Sequence, residues 1–272
     1  MLLEISHIAR ATYYFYIKKK DVDLKNEDII DKIKEIFYTH QRRYGYRRIT
    51  LELKNQGIQV NHKKVLRLMN KLNLHSIRRK KRKYSSYKGT VGKIADNLIK
   101  RNFEANKPNE KWFTDVTEFN LRGSKLYLSP ILDAYGGYII SYDVSTTPNF
   151  AQIINMLDKA FHINCDVKDL IFHSDQGWQY QHRSYTNTLE KMGIIQSMSR
   201  KGNSIDNGLM ENFFGIMKTE MFHGQEKNYE TIESLKMAVD EYIDYYNSKR
   251  IKVKLKGLTP AQYRNQSLLL NV

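Results

Sequence analysis

The hydrophobic pattern of the first hundred residues predicts helices. Apolar positions recur every three or four residues in three segments, which is the spacing of one helix face. The first segment, NEDIIDKIKEIFYTH, begins at Asn26, the second covers residues 47–55, and the third follows Asn61, a predicted N-cap. In the third helix we expect four apolar side chains to face inward: Val65, Leu66, Met69 and Leu72. Two helices joined by a tight turn are typical of helix-turn-helix modules, although other small helical bundles share this outline.

From about residue 106 the pattern changes to strands that alternate with helices. The segments WFTDVTEFNL, KLYLSPILDAY and YIISYDVST are rich in β-branched and aromatic residues, which predicts an antiparallel meander of three strands. A helix, a strand ending at Asp175, a second helix and a fifth strand follow, and a long helix carries Glu211. The order βββαβαβ predicts an α/β fold of the ribonuclease-H-like type, with a five-stranded mixed sheet.

These patterns predict two domains joined by a basic connection. We expect a helical, helix-turn-helix-like domain over residues 1–74, a linker over 75–105, an α/β core with a C-terminal helix over 106–265 and a tail over 266–272. The linker prediction rests on six consecutive basic residues at positions 78–83, since neighbouring like charges repel one another and favour an extended chain.

Charge is distributed unevenly along the 272 residues, which carry a formal net charge of +16. Residues 1–100 contain 25 basic and 9 acidic residues, so the whole excess lies in this part. Such asymmetry indicates a polyanion-binding module beside a nearly neutral domain, although a merely basic surface is the alternative. A smaller basic cluster near the C-terminus predicts a second backbone-binding segment: Arg250, Lys252, Lys254 and Lys256.

Cysteine usage and hydropathy bear on location. The chain has one cysteine, Cys165, which cannot form an intramolecular disulfide, and its first residues show no signal-peptide pattern. No segment approaches the ~18–20 apolar residues needed to cross a bilayer. We therefore expect a cytoplasmic protein.

Three carboxylates stand in separate polar motifs: Asp115 in WFTDVTEF, Asp175 in IFHSDQGWQY and Glu211 in SRKGNSIDNGLMENFFGIMKTE. Mg²⁺ prefers oxygen ligands and uses a few carboxylates together with substrate phosphates. Three such groups brought together can hold two divalent ions, the arrangement that supports phosphoryl displacement. Taken singly, each is an ordinary capping or surface residue. Their combination predicts a site for Mg²⁺ or Mn²⁺ that acts on a phosphodiester.

Residues near these motifs give weaker predictions. Asn207 and Lys218 share the helix face of Glu211, and His173 shares the strand face of Asp175, where it either contacts substrate or is a packed structural residue. We expect Trp112 and Trp178 to be packing residues rather than base-stacking platforms. The residues expected to contact DNA are Arg47, Arg48, Lys63, Lys64, Arg67, Arg78, Arg79, Lys80, Lys81, Arg82, Lys83, Lys201, Asn203, Asn207 and Lys218.

The three acidic motifs, together with YNSKRIKVKLKGLTPAQYR near the C-terminus, resemble the second-reading-frame transposase of insertion-sequence-three family elements. That family belongs to the retroviral-integrase-like DDE superfamily. The segment YGYRRITLELKNQGIQVNHKKVLRLMNKLNL is similar to its helix-turn-helix module, so the resemblance spans nearly the whole chain.

The resemblance implies Asp115, Asp175 and Glu211 as the metal-binding catalytic triad of a DNA transposase. It implies metal-dependent cleavage and strand transfer at element ends, with terminal inverted repeats and target DNA as substrates. It also implies a homo-oligomer on DNA, a first-frame partner that is sometimes fused by frameshifting, and a bacterial, nucleoid-associated location.

Two other functions are compatible with the residues alone. A ribonuclease-H-like nuclease would hydrolyse nucleic acid without joining it, and a non-catalytic regulator would use only the DNA-binding module. Strand transfer that depends on Asp175 and Glu211 distinguishes the transposase from both.

Overall fold

A computed structural model describes residues 8–15, 26–79, 94–163 and 167–270. Four of the predicted DNA contacts (Lys80, Lys81, Arg82 and Lys83), together with Cys165, lie outside these ranges. The chain divides into two compact units, Met1–Ile77 and Arg78–Val272. No helix in the described ranges is both long enough and apolar enough to cross a membrane.

The first unit contains three helices between residues 26 and 77: α1 (Glu27–Thr39), α2 (Tyr46–Asn55) and α3 (His62–Lys71). Their positions agree with the apolar spacing, and the Asn61 side chain caps α3 by accepting a hydrogen bond from the Lys63 amide at 2.8 Å. One inward residue was predicted wrongly. Leu66 is 38% exposed, whereas Leu68 is buried beside Val65 and Met69. The buried face of α3 therefore consists of positions 65, 68 and 69, which lie on one side of the helix at spacings of three and four residues. Position 66 lies outside that face.

In the described part of the second unit, six strands form one mixed sheet. The strands are β1 (Lys111–Thr114), β2 (Thr117–Leu121), β3 (Ser124–Asp133), β4 (Tyr138–Ser145), β5 (Ile171–Ser174) and β6 (Ile195–Met198). β1 and β2 follow one another along one edge of β3, and β4 pairs with the other edge. β5 pairs in parallel with β1, and β6 in parallel with β5. This order, with its antiparallel meander followed by parallel strands, confirms the ribonuclease-H-like prediction.

The predicted first strand, WFTDVTEFNL, is not continuous. It is interrupted at Asp115 and Val116, so five predicted strands become six. The register is the same on both sides of the break, since Thr114 pairs with Ile131 and Thr117 with Leu128. This register sets Pro130 opposite Asp115. Because proline has no amide N–H to donate to the ladder, pairing lapses there and frees the backbone around Asp115.

Helices cover both faces of the sheet. Their bounds are α4 (Phe150–Ile163), α5 (Trp178–Gln181), α6 (Arg183–Lys191), α7 (Gly208–Met217), α8 (Ile232–Ser248) and α9 (Pro260–Leu270). Neighbouring residues of β1 show the two layers. Trp112 packs in the cluster formed with α4 and α6, and Phe113 packs in the cluster formed with α7 and α8. Both are fully buried, so β1 is a central strand with its end held between two cores.

Residues 94–105 fall within the predicted linker but are attached to the second unit. Ile99 is buried in the same core as α7 and α8, and Phe103 packs against that core. The Leu98 amide donates to Ser197 Oγ at 3.0 Å, and Asn97 donates to Asp206 at 2.9 Å. This half of the segment is therefore ordered against β6 and the loop that precedes α7.

Candidate active site

The ends of two neighbouring parallel strands position Asp115 and Asp175. Phe113 of β1 pairs with His173 of β5, and each aspartate lies two residues further along its own strand, immediately beyond the last paired residue. The two carboxylates therefore leave the sheet at the same level. Adjacent strands are separated by about 4.8 Å, so the aspartates are close neighbours at one edge of the sheet.

Backbone amides orient these two carboxylates. Asp115 Oδ1 accepts a hydrogen bond from the Val116 amide at 2.8 Å, and Asp175 Oδ1 accepts one from the Gly177 amide at 2.9 Å. The second contact is an Asx turn, which a short carboxylate side chain forms readily before glycine. In both residues one oxygen is engaged by the backbone of its own loop.

The start of α7 brings Glu211 to the same strand end. Asn207, the residue before α7, is buried and donates through Nδ2 to the Thr114 carbonyl at 3.1 Å. Thr114 directly precedes Asp115, so this bond ties the helix start to the end of β1. Glu211 lies one helical turn beyond Asn207 in the first turn of α7. Its charge acts on the Asp115 carboxyl, which places the three carboxylates in one electrostatic neighbourhood.

The electrostatics of the pair are unfavourable for two ionised aspartates. Burial and the charge of Asp175 raise the pKa of Asp115 well above its usual range, and Glu211 raises it further. The Val116 amide and the Lys218 ammonium oppose this increase in pKa. Burial also raises the pKa of Asp175, against the hydrogen bond from Gly177. A group of carboxylates that resists ionisation in this way is relieved when a cation binds.

The donor set fits a hard divalent cation, because it consists of carboxylate oxygens on fixed backbone positions. Asn207 adds a buried amide oxygen, Oδ1, for which the described residues provide no hydrogen-bond partner. Within the same ranges, no three His, Cys, Asp or Glu side chains are already gathered tightly enough to form a metal site. The backbone therefore places the three groups at the ends of β1 and β5.

Matches to known proteins agree with this geometry. Two integrase core domain models match residues 105–204 and 211–268, and an HTH-like domain model matches residues 23–82. The chain is 49% identical to a putative transposase, InsK, for insertion sequence element IS150 of Escherichia coli K12, over 100% of this chain and 95% of that protein. The chain belongs to the insertion-sequence-three transposase family.

Two further matches are to a protein sequence and to a solved structure. A transposase-like protein of Haemophilus influenzae is 53% identical over 78% of this chain and 97% of its own length. The solved magnesium complex of the HTLV-2 integrase catalytic core covers 59% of this chain and 99% of that chain, with 19% identity and a TM-score of 0.49.

Lys218 lies close to Asp115. It begins a π-helical turn, Lys218–Phe222, that follows α7. Its Nζ donates to the Glu118 carbonyl at 2.7 Å and lies 5.1 Å from the centre of the Phe119 ring. These contacts fix the ammonium close enough to Asp115 to lower the pKa of that carboxyl.

His173 is a packed structural residue. Its ring is fully buried, with Nδ1 at 2.9 Å from Ser197 Oγ and Nε2 at 3.3 Å from Ser199 Oγ. Burial lowers the pKa of His173 to about 4, so the imidazole is neutral at physiological pH. Of the two roles that the sequence left open, the structure supports the packing role.

The two tryptophans behave differently. Trp112 is fully buried, as predicted, but Trp178 is 59% exposed at the start of α5 and is not a packing residue. The prediction for Trp178 was wrong because this residue begins the short helix α5 on its exposed side, whereas Tyr180 of the same helix is buried.

The predicted DNA-contacting residues differ in exposure. Arg47, Lys63, Arg67, Arg78, Arg79 and Lys201 are exposed, and Lys64 is half-buried. Arg48 is also half-buried and donates to the Arg43 carbonyl at 3.3 Å. Asn203 accepts a hydrogen bond from Arg101 at 3.4 Å.

The second basic cluster is partly structural. Arg250 is buried and forms a bidentate pair with Glu220, and Lys252 donates to the Gly136 and Gly137 carbonyls.

Two groups at the site were missed by the sequence reasoning. Tyr180 and Tyr185 lie fully buried beneath the aspartates, and burial, together with the nearby carboxylates, raises the pKa of both phenols. The Tyr185 hydroxyl makes no hydrogen bond with the described residues, and the Tyr180 hydroxyl approaches Thr114 without a well-formed one. The second group is Asp206, which is fully buried and directly precedes Asn207. The motif SIDNG gave no signal for Asp206, since aspartate before a helix is ordinarily a capping residue.

Proposed function

We propose that Asp115, Asp175 and Glu211 are the catalytic residues of this transposase and that they act in metal-dependent cleavage and strand transfer at the ends of an insertion sequence. The observation that carries this proposal is the placement of Asp115 and Asp175 at the same level on neighbouring parallel strands, with the pKa of each carboxyl raised. Glu211 completes the set because Asn207 fastens its helix to the Thr114 carbonyl.

In this proposal the three carboxylates would hold the divalent cation, Mg²⁺ or Mn²⁺. When bound, such ions activate an oxygen nucleophile and stabilise the departing oxygen of a phosphodiester. The chain itself orients the reacting groups. Amides of Val116 and Gly177 fix one oxygen of each aspartate, and Lys218 supplies a positive charge next to the scissile phosphate. No side chain acts as a covalent nucleophile.

DNA is held by the basic first unit and its connection in this proposal. The exposed residues Arg47, Lys63 and Arg67 contact phosphates, which makes affinity strongly salt-dependent. The substrates are the terminal inverted repeats and target DNA, and the working form is a homo-oligomer on paired ends with a first-frame partner. The protein is cytoplasmic and nucleoid-associated in this proposal, with a helix-turn-helix-like domain over residues 1–74 and a catalytic core over 106–265 on which residues 94–105 pack.

The decisive experiment incubates the full chain with labelled element ends, a target plasmid and Mg²⁺. The ends are taken from the DNA that flanks the coding region. We expect joined product from the wild type and none from Asp175→Asn or Glu211→Gln, while both variants still bind DNA. Asp143→Asn is the matched control, because Asp143 is a strand carboxylate that pairs with Lys159 at 2.6 Å and lies outside the candidate site.

Two results would overturn the proposal. Cleaved ends without any joined product from the wild type would identify a nuclease instead. Joining that survives in Asp175→Asn or Glu211→Gln would remove these carboxylates from the catalytic site.

A further inference from the structure

An exposed indole ring lies beside the proposed catalytic centre. Trp178 is 59% exposed, although it follows Asp175 by only three residues and begins helix α5. Its nearest ring neighbour is Phe150, with ring centres 6.5 Å apart and planes inclined by 42°. A large aromatic surface held in solvent at the edge of a site is typical of a binding surface rather than a core.

Trp178 forms one wall of a pocket that extends to Val116, the residue after the other aspartate. The pocket has a volume of about 540 Å³, counting the space that opens to solvent. Its apolar walls are Val116, Tyr127, Pro148 and Ile153, and its polar groups include Glu118 and Gln179. Val116 directly follows Asp115, so the pocket adjoins both strand ends that carry the proposed catalytic aspartates. An apolar cavity with a few polar groups is the usual form of a site for a flat organic ligand.

The charges of the lining residues indicate whether the pocket suits a phosphate or a base of DNA. None of the residues that line it is basic, and its one carboxylate, Glu118, is paired with Lys125 at 3.0 Å, so the lining offers no cation to a backbone phosphate. A neutral base fits both the apolar walls and the polar groups. Carboxylate and amide side chains accept and donate the hydrogen bonds that base edges offer, with carboxylates pairing to cytosine N4 and glutamine to adenine. A base presents its flat face to an indole only when it is unstacked from the duplex.

We propose that this pocket receives one unpaired DNA base, stacked on Trp178, next to the phosphodiester on which the chain acts. This inference rests on the proposed function, since it assumes that DNA occupies the strand ends at Asp115 and Asp175. Holding one base outside the duplex fixes the position of the adjoining backbone. Trp178 is therefore a positioning residue for the DNA strand.

The test measures equilibrium binding in EDTA, so that it does not depend on catalysis. Two labelled duplexes are compared, one with a single extrahelical base and one with an abasic residue at the same bulge. We expect the wild type to prefer the base-containing duplex by about 5- to 150-fold, the range found for stacking of one base on an aromatic side chain. Trp178→Ala should lose this preference, and Trp178→Phe should keep most of it.

Met237→Ala is the matched control, because Met237 is an exposed apolar residue (64%) on α8 that does not line the pocket. It should retain the wild-type preference. Tryptophan emission gives an independent readout. Since Trp112 is fully buried, quenching by the bulged base should come from Trp178 and disappear in Trp178→Phe.

Three results would overturn the inference: equal affinity of the wild type for both duplexes, a preference that survives Trp178→Ala, or quenching that persists in Trp178→Phe. Failure of the proposed function is distinguishable, because it appears as missing strand transfer in the Mg²⁺ assay while the binding preference in EDTA remains measurable.

Discussion

Replacing Asp206 by asparagine should both destabilise the second unit and weaken metal-dependent activity. Asp206 is fully buried and directly precedes Asn207, the residue that fastens α7 to β1. Its carboxylate accepts five hydrogen bonds, from the Arg200 amide and guanidinium, from Arg101 and from Asn97. The substitution keeps the shape of the side chain but removes the charge and turns a donor toward these donors.

The cost can be worked from these contacts. The Arg101 and Arg200 side chains are 47% and 58% exposed, so solvent screens both ion pairs and each contributes at most about 1 kcal/mol. The bonds from the Arg200 amide and Asn97 contribute about 1 kcal/mol each. We therefore expect a loss of about 3 kcal/mol, at the low end for removing one partner of a buried pair. For a unit of this size that lowers Tm by about 6–12 °C.

Urea unfolding at pH 7 measures the stability loss, and a Mg²⁺ titration of end cleavage measures the second effect. We expect the concentration of Mg²⁺ at half-maximal activity to rise, because the helix start that carries Glu211 loses its support. Asp143→Asn is the control for an exposed ion pair and should cost less than about 1 kcal/mol.

The pH dependence adds a sign test. Hydrogen bonds from Arg200 hold the pKa of Asp206 well below its usual range, with a further contribution from Arg101. The stabilisation is therefore present above the unfolded-state pKa of about 3.9 and is lost as pH falls below it. The stability difference between wild type and Asp206→Asn should be constant from pH 8 to 5 and shrink below about pH 4. A loss under about 1 kcal/mol, or a difference that grows in acid, would refute this reasoning.

Two further predictions concern groups whose pKa values are shifted by burial. Asp115 has a raised pKa, so its ionised form lowers the stability of the folded state as pH increases. In EDTA, Asp115→Asn should therefore raise the free energy of unfolding at pH 8 but not at pH 4. Urea unfolding curves that show destabilisation at pH 8 would contradict this. His173 has a pKa of about 4 in the folded state against about 6.5 in the unfolded state, so up to about 3 kcal/mol of stability is lost as pH falls across that interval. In His173→Gln the free energy of unfolding should depend less on pH between 6.5 and 4. An unchanged pH dependence would contradict a buried, neutral His173.

Much of the fold follows from sequence periodicity. Helical spacing located α1 and α2 to within a residue of their observed ends, and the alternation of strands and helices indicated the sheet topology. The interruption of the first strand could not be read from WFTDVTEFNL, because its cause lies on the partner strand. The pairing of Pro130 with the position of Asp115 becomes evident only from the register of β3 against β1 and β2. A local pattern carries no information about which residue will face it across a ladder.

In the candidate site, too, local motifs could be predicted from the sequence, whereas features set by distant parts of the chain could not. The three acidic motifs could be found from the sequence because each combines a carboxylate with a strand or helix terminus. Trp178 was misassigned, since a tryptophan after an apolar strand is ordinarily buried and its exposure is set by which side of α5 packs on the core. Asp206 was missed for a related reason. Its partners Asn97 and Arg101 are more than a hundred residues away, and no spacing rule connects them.

The proposed catalytic residues do not stabilise the fold, so other contacts must hold them in place. Ionisation of two aspartates with raised pKa values opposes folding at neutral pH. Glu211 belongs to α7, so its position depends on how that helix is attached to the sheet. That helix is fixed at both ends by charges. Before α7 stands the buried Asp206 network, and in the π-helical turn after it Glu220 pairs with buried Arg250 at 2.7 Å. A buried ion pair adds little net stability over apolar packing, but its fixed geometry specifies one position for the backbone it joins. These two polar attachments, together with the bond from Asn207 to the Thr114 carbonyl, therefore fix where α7 begins and ends relative to β1.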